Sequence, residues 1–227
     1  MRDTSSDLQS TQGLSSFSLL SDLRNPILEV ALQAEKSDNR EQYLVARNAL
    51  KLIDGYLYAE ELAKADQIEL FPCSLTALTS DAVKAIEPLA KLYGIKLRLK
   101  KSRSTRLVSL DKQAFMHATH GLLYTIIGSL QNNPGNVDII VEMKDKSPSI
   151  KIYSELLDIN EQDIKTGSKL KSRLNTMTTG PHSGISLAST LYGMIGDGLS
   201  FTSNQYGKGL AASFKLTKQM SLTEAVA

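Results

Sequence analysis

Apolar residues recur near the start of the chain at alternating steps of three and four, the spacing of one helix face. A polar segment, residues 35–41, separates two such series and predicts an antiparallel helical hairpin over residues 14–65. Because a hairpin cannot enclose its own apolar stripes, we expect two copies to form a four-helix bundle. Packing on the rest of the same chain is the alternative. The series are Leu20, Leu23, Ile27, Val30 and Ala34, then Tyr43, Ala46, Leu50, Ile53 and Leu57.

The pattern changes after residue 65 to a succession of strands and helices. Asp111 is a typical N-cap before an apolar helix, and Gly94 is a typical end for the helix before it. The order predicts an α+β domain over residues 66–218, a mixed sheet with helices on one face. Polar residues 1–13 predict a flexible N-terminus, and 219–227 a C-terminal tail. The predicted strands are 67–71, 95–101, 106–110, 136–145, 149–155, 198–204 and 209–217, and the helices are 75–94, 111–130 and 184–196.

The composition of the 227-residue chain is that of a globular protein, 41% hydrophobic and 22% charged with a net charge of +2. Residues 96–106 are basic but lack an aromatic side chain, which argues against nucleic-acid binding. One cysteine, Cys73, and three histidines exclude an internal disulfide and argue against structural zinc. No apolar run reaches the roughly 20 residues that span a bilayer. The N-terminus also lacks the apolar stretch of a signal peptide, so we expect a cytoplasmic protein.

Residues 21–27, SDLRNPI, place a proline within the first predicted helix, where it removes one helical hydrogen bond. Asn25 and Pro26 by themselves are also compatible with a helix start. With the order of elements, this stretch resembles the histidine kinase core over residues 14–217. That core is a dimerisation hairpin followed by an ATP-binding domain of the Hsp90, gyrase and MutL type. The family motif has a phospho-accepting histidine where this chain has Ser21, and the other six positions match.

The helix after Asp111 resembles the family helix that holds magnesium. In the family this helix carries two asparagines, and the second binds the Mg²⁺ of Mg-ATP through its carboxamide oxygen. The corresponding positions here are Gly121 and Thr125. The resemblance therefore implies a helix retained for packing, without its metal ligand. We interpret His117 and His120, on the same helix, as surface or core residues and not as catalysts.

Two more stretches resemble the family's nucleotide pocket. The family has Asp-x-Gly-x-Gly, whose Asp accepts the adenine amino proton, where this chain has Ser154, Leu156 and Asp158. A leucine there would place a side chain at the adenine ring. The second glycine motif, whose helix N-terminus meets phosphate, keeps Gly184 but has Ser186 in place of a glycine. The intervening lid is basic, which favours a solvated loop, with attraction of an anion as the alternative; its basic residues are Lys165, Lys169, Lys171 and Arg173.

These losses favour a catalytically inactive, dimeric scaffold or regulator in bacterial signalling, with no cofactor. Its expected partner is a response regulator receiver domain or another kinase, bound near Ser21, Asp22, Arg24 and Asn25. One alternative is a phosphotransferase relay, which the absence of histidine from residues 14–65 opposes. The other is a divergent active kinase that uses Mg-ATP, with Ser21 as acceptor and Asp22 as base.

Overall fold

The computed structural model describes residues 5–102, 106–143, 148–157 and 183–217. A helical hairpin precedes an α+β unit with a five-stranded mixed sheet, as the pattern predicts, and the unit also has a small three-stranded sheet that was not predicted. The helices are α1 (Ser5–Lys36), α2 (Arg40–Lys64), α3 (Leu75–Leu92), α4 (Lys112–Leu130) and α5 (Ser183–Ile195). The strands are β1 (Phe71–Cys73), β2 (Lys96–Lys100), β3 (Val108–Leu110), β4 (Asn136–Glu142), β5 (Ser149–Ser154), β6 (Leu199–Asn204), β7 (Gly207–Ser213) and β8 (Lys215–Leu216).

Helix α1 is longer than its apolar pattern predicts. It begins at Ser5, inside the range predicted as a flexible N-terminus, because no proline interrupts residues 5–13 and a formed helix propagates easily. The helix also continues through Pro26, which lies in its interior. Asn25 and Pro26 therefore do not start a helix, and the helical hydrogen bond that Pro26 removes lies beside Ser21.

A short turn joins the hairpin helices. Asp38 adopts a positive φ of 53°, which a short polar side chain tolerates. Asn39 then caps α2, since its side chain accepts a hydrogen bond from the Gln42 N–H at 3.1 Å. Farther along, Arg24 of α1 and Asp54 of α2 form an exposed ion pair at 2.8 Å. The pair marks the register of the two helices, although an exposed ion pair adds little stability.

The five-stranded sheet has the order β2-β4-β5-β7-β6, in which only the β2–β4 pair is parallel. One row of apolar residues crosses all five strands in register, namely Leu99, Ile139, Ile152, Leu210 and Phe201. Because alternate residues of a strand face opposite sides, this row belongs to the face that carries the helices.

The three-stranded sheet has the order β1-β3-β8. Its first strand lies at Phe71–Cys73 and not at the predicted residues 67–71. Antiparallel pairing with β3 places Phe71 opposite Leu110 and Cys73 opposite Val108. The position of this short strand is therefore determined by its pairing with β3, and not by the alternation of apolar and polar residues in its own sequence.

Aromatic rings pack at the centre of the domain. Phe115, Tyr192 and Phe214 are fully buried, with ring centroids 5.6 to 6.0 Å apart. The Tyr192 hydroxyl and the Thr119 hydroxyl are 2.7 Å apart, and Thr119 donates to the carbonyl of Phe115 at 2.7 Å. Burial raises the pKa of Tyr192, so the phenol stays neutral in the core.

The hairpin is packed on the domain through α2. Leu44 and Ala59 belong to the same buried core as the sheet. The Tyr58 hydroxyl donates to Asp111 Oδ1 at 3.0 Å, and the same carboxylate oxygen caps α4 by accepting from the Ala114 N–H at 2.6 Å. Part of the apolar stripe of α2 therefore packs on the rest of the same chain, which was the alternative to a four-helix bundle.

Candidate functional site

The structure brings Gly121, Thr125 and Gly184 together where α4 meets the N-terminus of α5. The Gly184 N–H donates to Thr125 Oγ1 at 3.1 Å. A Cβ at Gly184 would overlap the backbone carbonyl oxygen of Gly121, so the two helices touch backbone to backbone. N-terminal amides of a helix are typical phosphate ligands. Here the Gly184 amide is already engaged by a side chain of the neighbouring helix.

Helix α2 contributes a third glycine to the same place. A Cβ at Gly55 would lie 2.8 Å from Leu187 Cδ2, and a Cβ at Gly121 would lie 3.2 Å from the same atom. Gly55, Gly121 and Gly184, one from each of α2, α4 and α5, form what we call the glycine junction around Leu187. Three helices approach closely here because none of them presents a Cβ.

A tyrosine of the hairpin ties α2 to the start of α5. The Tyr56 hydroxyl donates to the Ser183 carbonyl at 2.5 Å. Burial raises the pKa of Tyr56 to about 12, and a hydrogen bond from Ser186 opposes that shift. The phenol therefore remains a neutral donor at physiological pH. Ser186, at the position of the missing glycine, thus belongs to the contact with the hairpin.

The end of β5 holds the residues predicted to replace the adenine-binding motif. Ser154 is buried, and its hydroxyl accepts a long hydrogen bond of 3.4 Å from the Leu156 N–H. Leu156 is 43% exposed and lies over Gly135, whereas Leu157 is 3% exposed and enters the core. The sequence singled out Leu156, but the leucine that is buried in this segment is the next residue, Leu157.

Other predicted site residues are distributed differently. Ser21, Asp22 and Asn25 are exposed on α1, and the Ser18 hydroxyl donates to Asp22 at 3.5 Å. Arg24 is engaged by Asp54, as described above. Asp158 and the predicted lid fall outside the described residues, including Lys165, Lys169, Lys171 and Arg173.

A buried polar pair joins α2 to α4 next to the glycine junction. His120, 5% exposed, donates from Nε2 to Asn48 Oδ1 at 2.8 Å, and Asn48 Nδ2 donates to the Leu44 carbonyl at 2.6 Å. His120 Nδ1 is buried and has no hydrogen-bond partner in the described part of the chain. The interpretation of His120 as a core residue agrees with this arrangement.

The electrostatic surroundings of His120 oppose its protonation. Burial lowers its pKa to about 3, and positive charge on Lys51 and His117 adds to the effect. The His117 ring is tilted against the ring of Tyr58, with centroids 5.5 Å apart, and its pKa is lowered mainly by burial. Burial therefore favours the neutral form of both histidines where the hairpin meets the domain.

Sequence reasoning missed the residues that position this interface, namely Asn48, Gly55 and Tyr56. Asn48 and Gly55 are seven residues apart, on one face of α2. The sequence offered one signal for this interface, a polar Asn48 and a Gly55 on the apolar face of α2. Both residue types are unfavourable at such positions unless a specific neighbour contacts them.

Among the residues that the structure describes, no group of three His, Cys, Asp or Glu side chains is placed to hold a metal ion. Within the same residues, no helix is both long and apolar enough to cross a membrane.

Comparison with known proteins gives matches in structure alone. No protein-family model matches the chain, and no curated protein matches its sequence. Full-length ShkA in complex with AMPPNP matches 89% of this chain with a TM-score of 0.59 and 15% identity. The nucleotide-free catalytic domain of the histidine kinase ThkA matches 66% of this chain and 98% of its own length, with a TM-score of 0.52 and 14% identity.

The chain therefore has a histidine kinase-like fold, with a helical hairpin followed by a domain of the kinase catalytic type. It matches 45% of the length of ShkA, so it spans less than half of that protein. The fold agrees with the resemblance drawn from the motifs. Function has to be argued from the residues that occupy the site.

We predict opposite effects for two Gly→Ala substitutions. Gly184→Ala places a methyl group against the Gly121 backbone and should destabilise the protein by about 1–3 kcal/mol or more. Gly128→Ala, at an exposed position of α4, meets nothing within 4 Å and should stabilise it by about 0.5–1 kcal/mol. Urea unfolding of both variants tests the glycine junction, and equal effects would contradict it.

We also predict that acid weakens the protein through His120. Its folded pKa of about 3 lies below the ordinary 6.5, so the unfolded chain binds the extra proton and stability falls as the pH drops below 6.5. The loss attributable to His120 should reach about 2 kcal/mol at about pH 5.

His120→Gln removes the titration and keeps a hydrogen-bond donor. The difference in unfolding free energy between about pH 7.5 and about pH 5 should therefore be about 2 kcal/mol smaller in His120→Gln than in the unmodified chain. Identical pH dependences in the two proteins would show that His120 is not held neutral by its surroundings.

Proposed function

We propose that this chain is a catalytically inactive, histidine kinase-like regulator that acts by binding a protein partner. The observation that carries the proposal is the direct contact of Gly184 with Thr125 and Gly121. By resemblance, this is where a kinase holds the phosphates and magnesium of ATP. Phosphoryl transfer depends on positioning those groups, so a closed contact at this place removes the basis of the reaction.

The residues present do not fit magnesium. Mg²⁺ prefers oxygen ligands in octahedral geometry and takes carboxylate or carboxamide oxygens. Thr125 offers only a hydroxyl, and that oxygen already accepts the Gly184 N–H. Gly121 offers no side chain. We therefore expect neither Mg²⁺ nor ATP as a cofactor.

The acceptor position supports the same conclusion. Ser21 replaces the phospho-accepting histidine of the family motif, and residues 14–65 hold no histidine to replace it. The carboxylate of Asp22 accepts from the Ser18 hydroxyl at 3.5 Å. No observed contact makes Asp22 a base for Ser21, which supports inactivity over the divergent kinase and the phosphotransferase relay.

Helix α1 supports association of two copies. Leu19, Leu23, Pro26 and Val30 lie on one face of α1 and are exposed, and of these Leu23 and Val30 belong to the predicted apolar series. Leu23 is 39% exposed in the single chain. A four-helix bundle formed with a second hairpin would bury this face, which is the reason to propose a homodimer.

The partner that we propose for the dimer is a response regulator receiver domain or another kinase. The resemblance suggests the upper part of the hairpin as the docking surface, and there Ser21, Asp22 and Asn25 are exposed. A protein without phosphoryl-transfer chemistry can act by occupying such a partner. Partner binding would explain a hairpin that keeps its helical structure but has Ser21 in place of the phospho-accepting histidine.

Nucleotide binding tests the inactive state directly. Calorimetric titration with Mg-ATP should detect no binding, because Thr125 and Gly184 contact one another where phosphate would lie. Full-length ShkA, whose structure was solved in complex with AMPPNP, is a suitable positive reference for the assay. A micromolar, magnesium-dependent Kd for this chain would overturn the proposal.

Light scattering tests the hairpin interface. We expect a mass near twice the 24.8 kDa of the single chain, and a mass near that of the single chain for Leu23→Asp combined with Val30→Asp. Two buried carboxylates would oppose a bundle. Leu92→Asp, at an exposed leucine of α3 outside the hairpin, is the matched control and should remain dimeric.

A monomeric mass for the unmodified chain at micromolar concentration would contradict the dimer.

The immobilised dimer should also retain receiver-domain proteins from its own cell lysate, and Asn25→Arg should reduce that retention without changing the mass. Recovery of neither a receiver domain nor a kinase would contradict the proposed partner class.

A further inference from the structure

A cavity of about 270 Å³ lies between α2 and α3, apart from the glycine junction. Its lining comes from one face of each helix, because the contributing positions are spaced at helical intervals. Pockets for small molecules are concave, largely apolar and contain a few placed polar groups. The lining residues are Leu44, Arg47, Asn48 and Lys51 of α2 and Lys84, Ala85, Pro88 and Leu89 of α3.

The charged groups of this cavity all have the same sign. Arg47, Lys51 and Lys84 line it, and no carboxylate does so within the described part of the chain. Glu87, one turn after Lys84 on α3, pairs with Lys91 at 2.9 Å. Burial lowers the pKa of Lys51, and the positive charge of Arg47 lowers it further. An anion in the cavity would offset the repulsion between these two cations.

Two of the polar groups are held in place before any ligand arrives. Arg47 Nη1 donates to the Tyr43 hydroxyl at 3.3 Å, and its guanidinium lies 5.9 Å from the centre of the same ring. Asn48 is fixed between the Leu44 carbonyl and His120, as described above. One N–H of the Asn48 carboxamide has no observed partner in these contacts. Fixed donors reduce the entropy that binding loses.

The rest of the wall is apolar. Leu44, Ala85, Pro88 and Leu89, which also line the cavity, have aliphatic side chains. Pro88 also lacks the N–H that would otherwise bind the Lys84 carbonyl within α3. A ligand that fits this cavity would have a doubly negative group, which contacts the three cationic side chains, and an apolar group, which contacts the aliphatic side chains.

We propose that the cavity between α2 and α3 binds a small organic phosphate, a phosphomonoester with an apolar body. A phosphomonoester has about two negative charges near pH 7 and several acceptor oxygens, which match three cationic donors better than a carboxylate does. The proposal is independent of the inactive nucleotide site, because Gly121, Thr125 and Gly184 do not line this cavity.

Calorimetric titration with three probes of different chemistry tests the site. Phenyl phosphate should bind saturably with a Kd of about 1 mM or below, a modest affinity for a compound of its size. Inorganic phosphate, which lacks the apolar body, should bind at least about tenfold more weakly. Benzyl alcohol, which lacks the charge, should show no binding.

Charge variants locate the binding. Arg47→Gln combined with Lys84→Gln should weaken phenyl phosphate by about tenfold or more, since charge-assisted hydrogen bonds are lost. Lys36→Gln combined with Arg40→Gln removes the same charge from exposed positions outside the cavity and should leave the Kd within about twofold. Equal weakening in both double variants would mean general attraction to the protein and would overturn the proposal.

A substitution that keeps every charge tests the apolar part. Ala85→Phe fills the cavity from the exposed side of α3 and should abolish the advantage of phenyl phosphate over inorganic phosphate. In the unmodified chain, the amide resonances of Asn48 and Ala85 should shift with phenyl phosphate. Absence of saturable binding, or shifts confined to other residues, would overturn the site.

Discussion

The close approach of α2, α4 and α5 at the glycine junction is the constraint on which the rest of this structure depends. A side chain larger than hydrogen at Gly184 would overlap the Gly121 backbone, and one at Gly55 would overlap Leu187. Backbone contact lets Thr125 accept the Gly184 N–H in the first turn of α5 and lets Tyr56 reach the Ser183 carbonyl. The N-terminus of α5 is thus part of a packed junction of three helices.

Polar ties determine how the hairpin sits on the domain. His120 and Asn48, Tyr58 and Asp111, and Tyr56 and Ser183 each join α2 to a different point of the domain. A hydrogen bond of this kind adds only about 1 kcal/mol net, but leaving its buried partner unsatisfied costs more. The ties therefore select one placement of α2 over others. His120 Nδ1 is buried and has no hydrogen-bond partner among the residues that the structure describes, so this placement of α2 favours a neutral imidazole.

Much of the fold was predictable because its signals are local. Helical spacing gave the hairpin, and the N-cap at Asp111 gave the start of α4. Alternation gave the strands of the large sheet. The start of α1 and the position of β1 differ from the prediction. Helix propagation extends α1 to Ser5, and pairing of Phe71 with Leu110 determines where β1 lies. Neither cause is visible in a short window of sequence.

The sequence by itself determined which functional groups are missing, since Ser21, Thr125 and Ser154 stand where the resemblance requires a histidine, an asparagine and an aspartate. Only the tertiary structure decided what fills the place they left. It brought Gly184 onto Gly121, set Leu157 and not Leu156 in the core, and placed Arg47 opposite Lys84 across a cavity. The physical reason is that residue identity is local, whereas contact, burial and electrostatic repulsion arise between residues far apart in the chain.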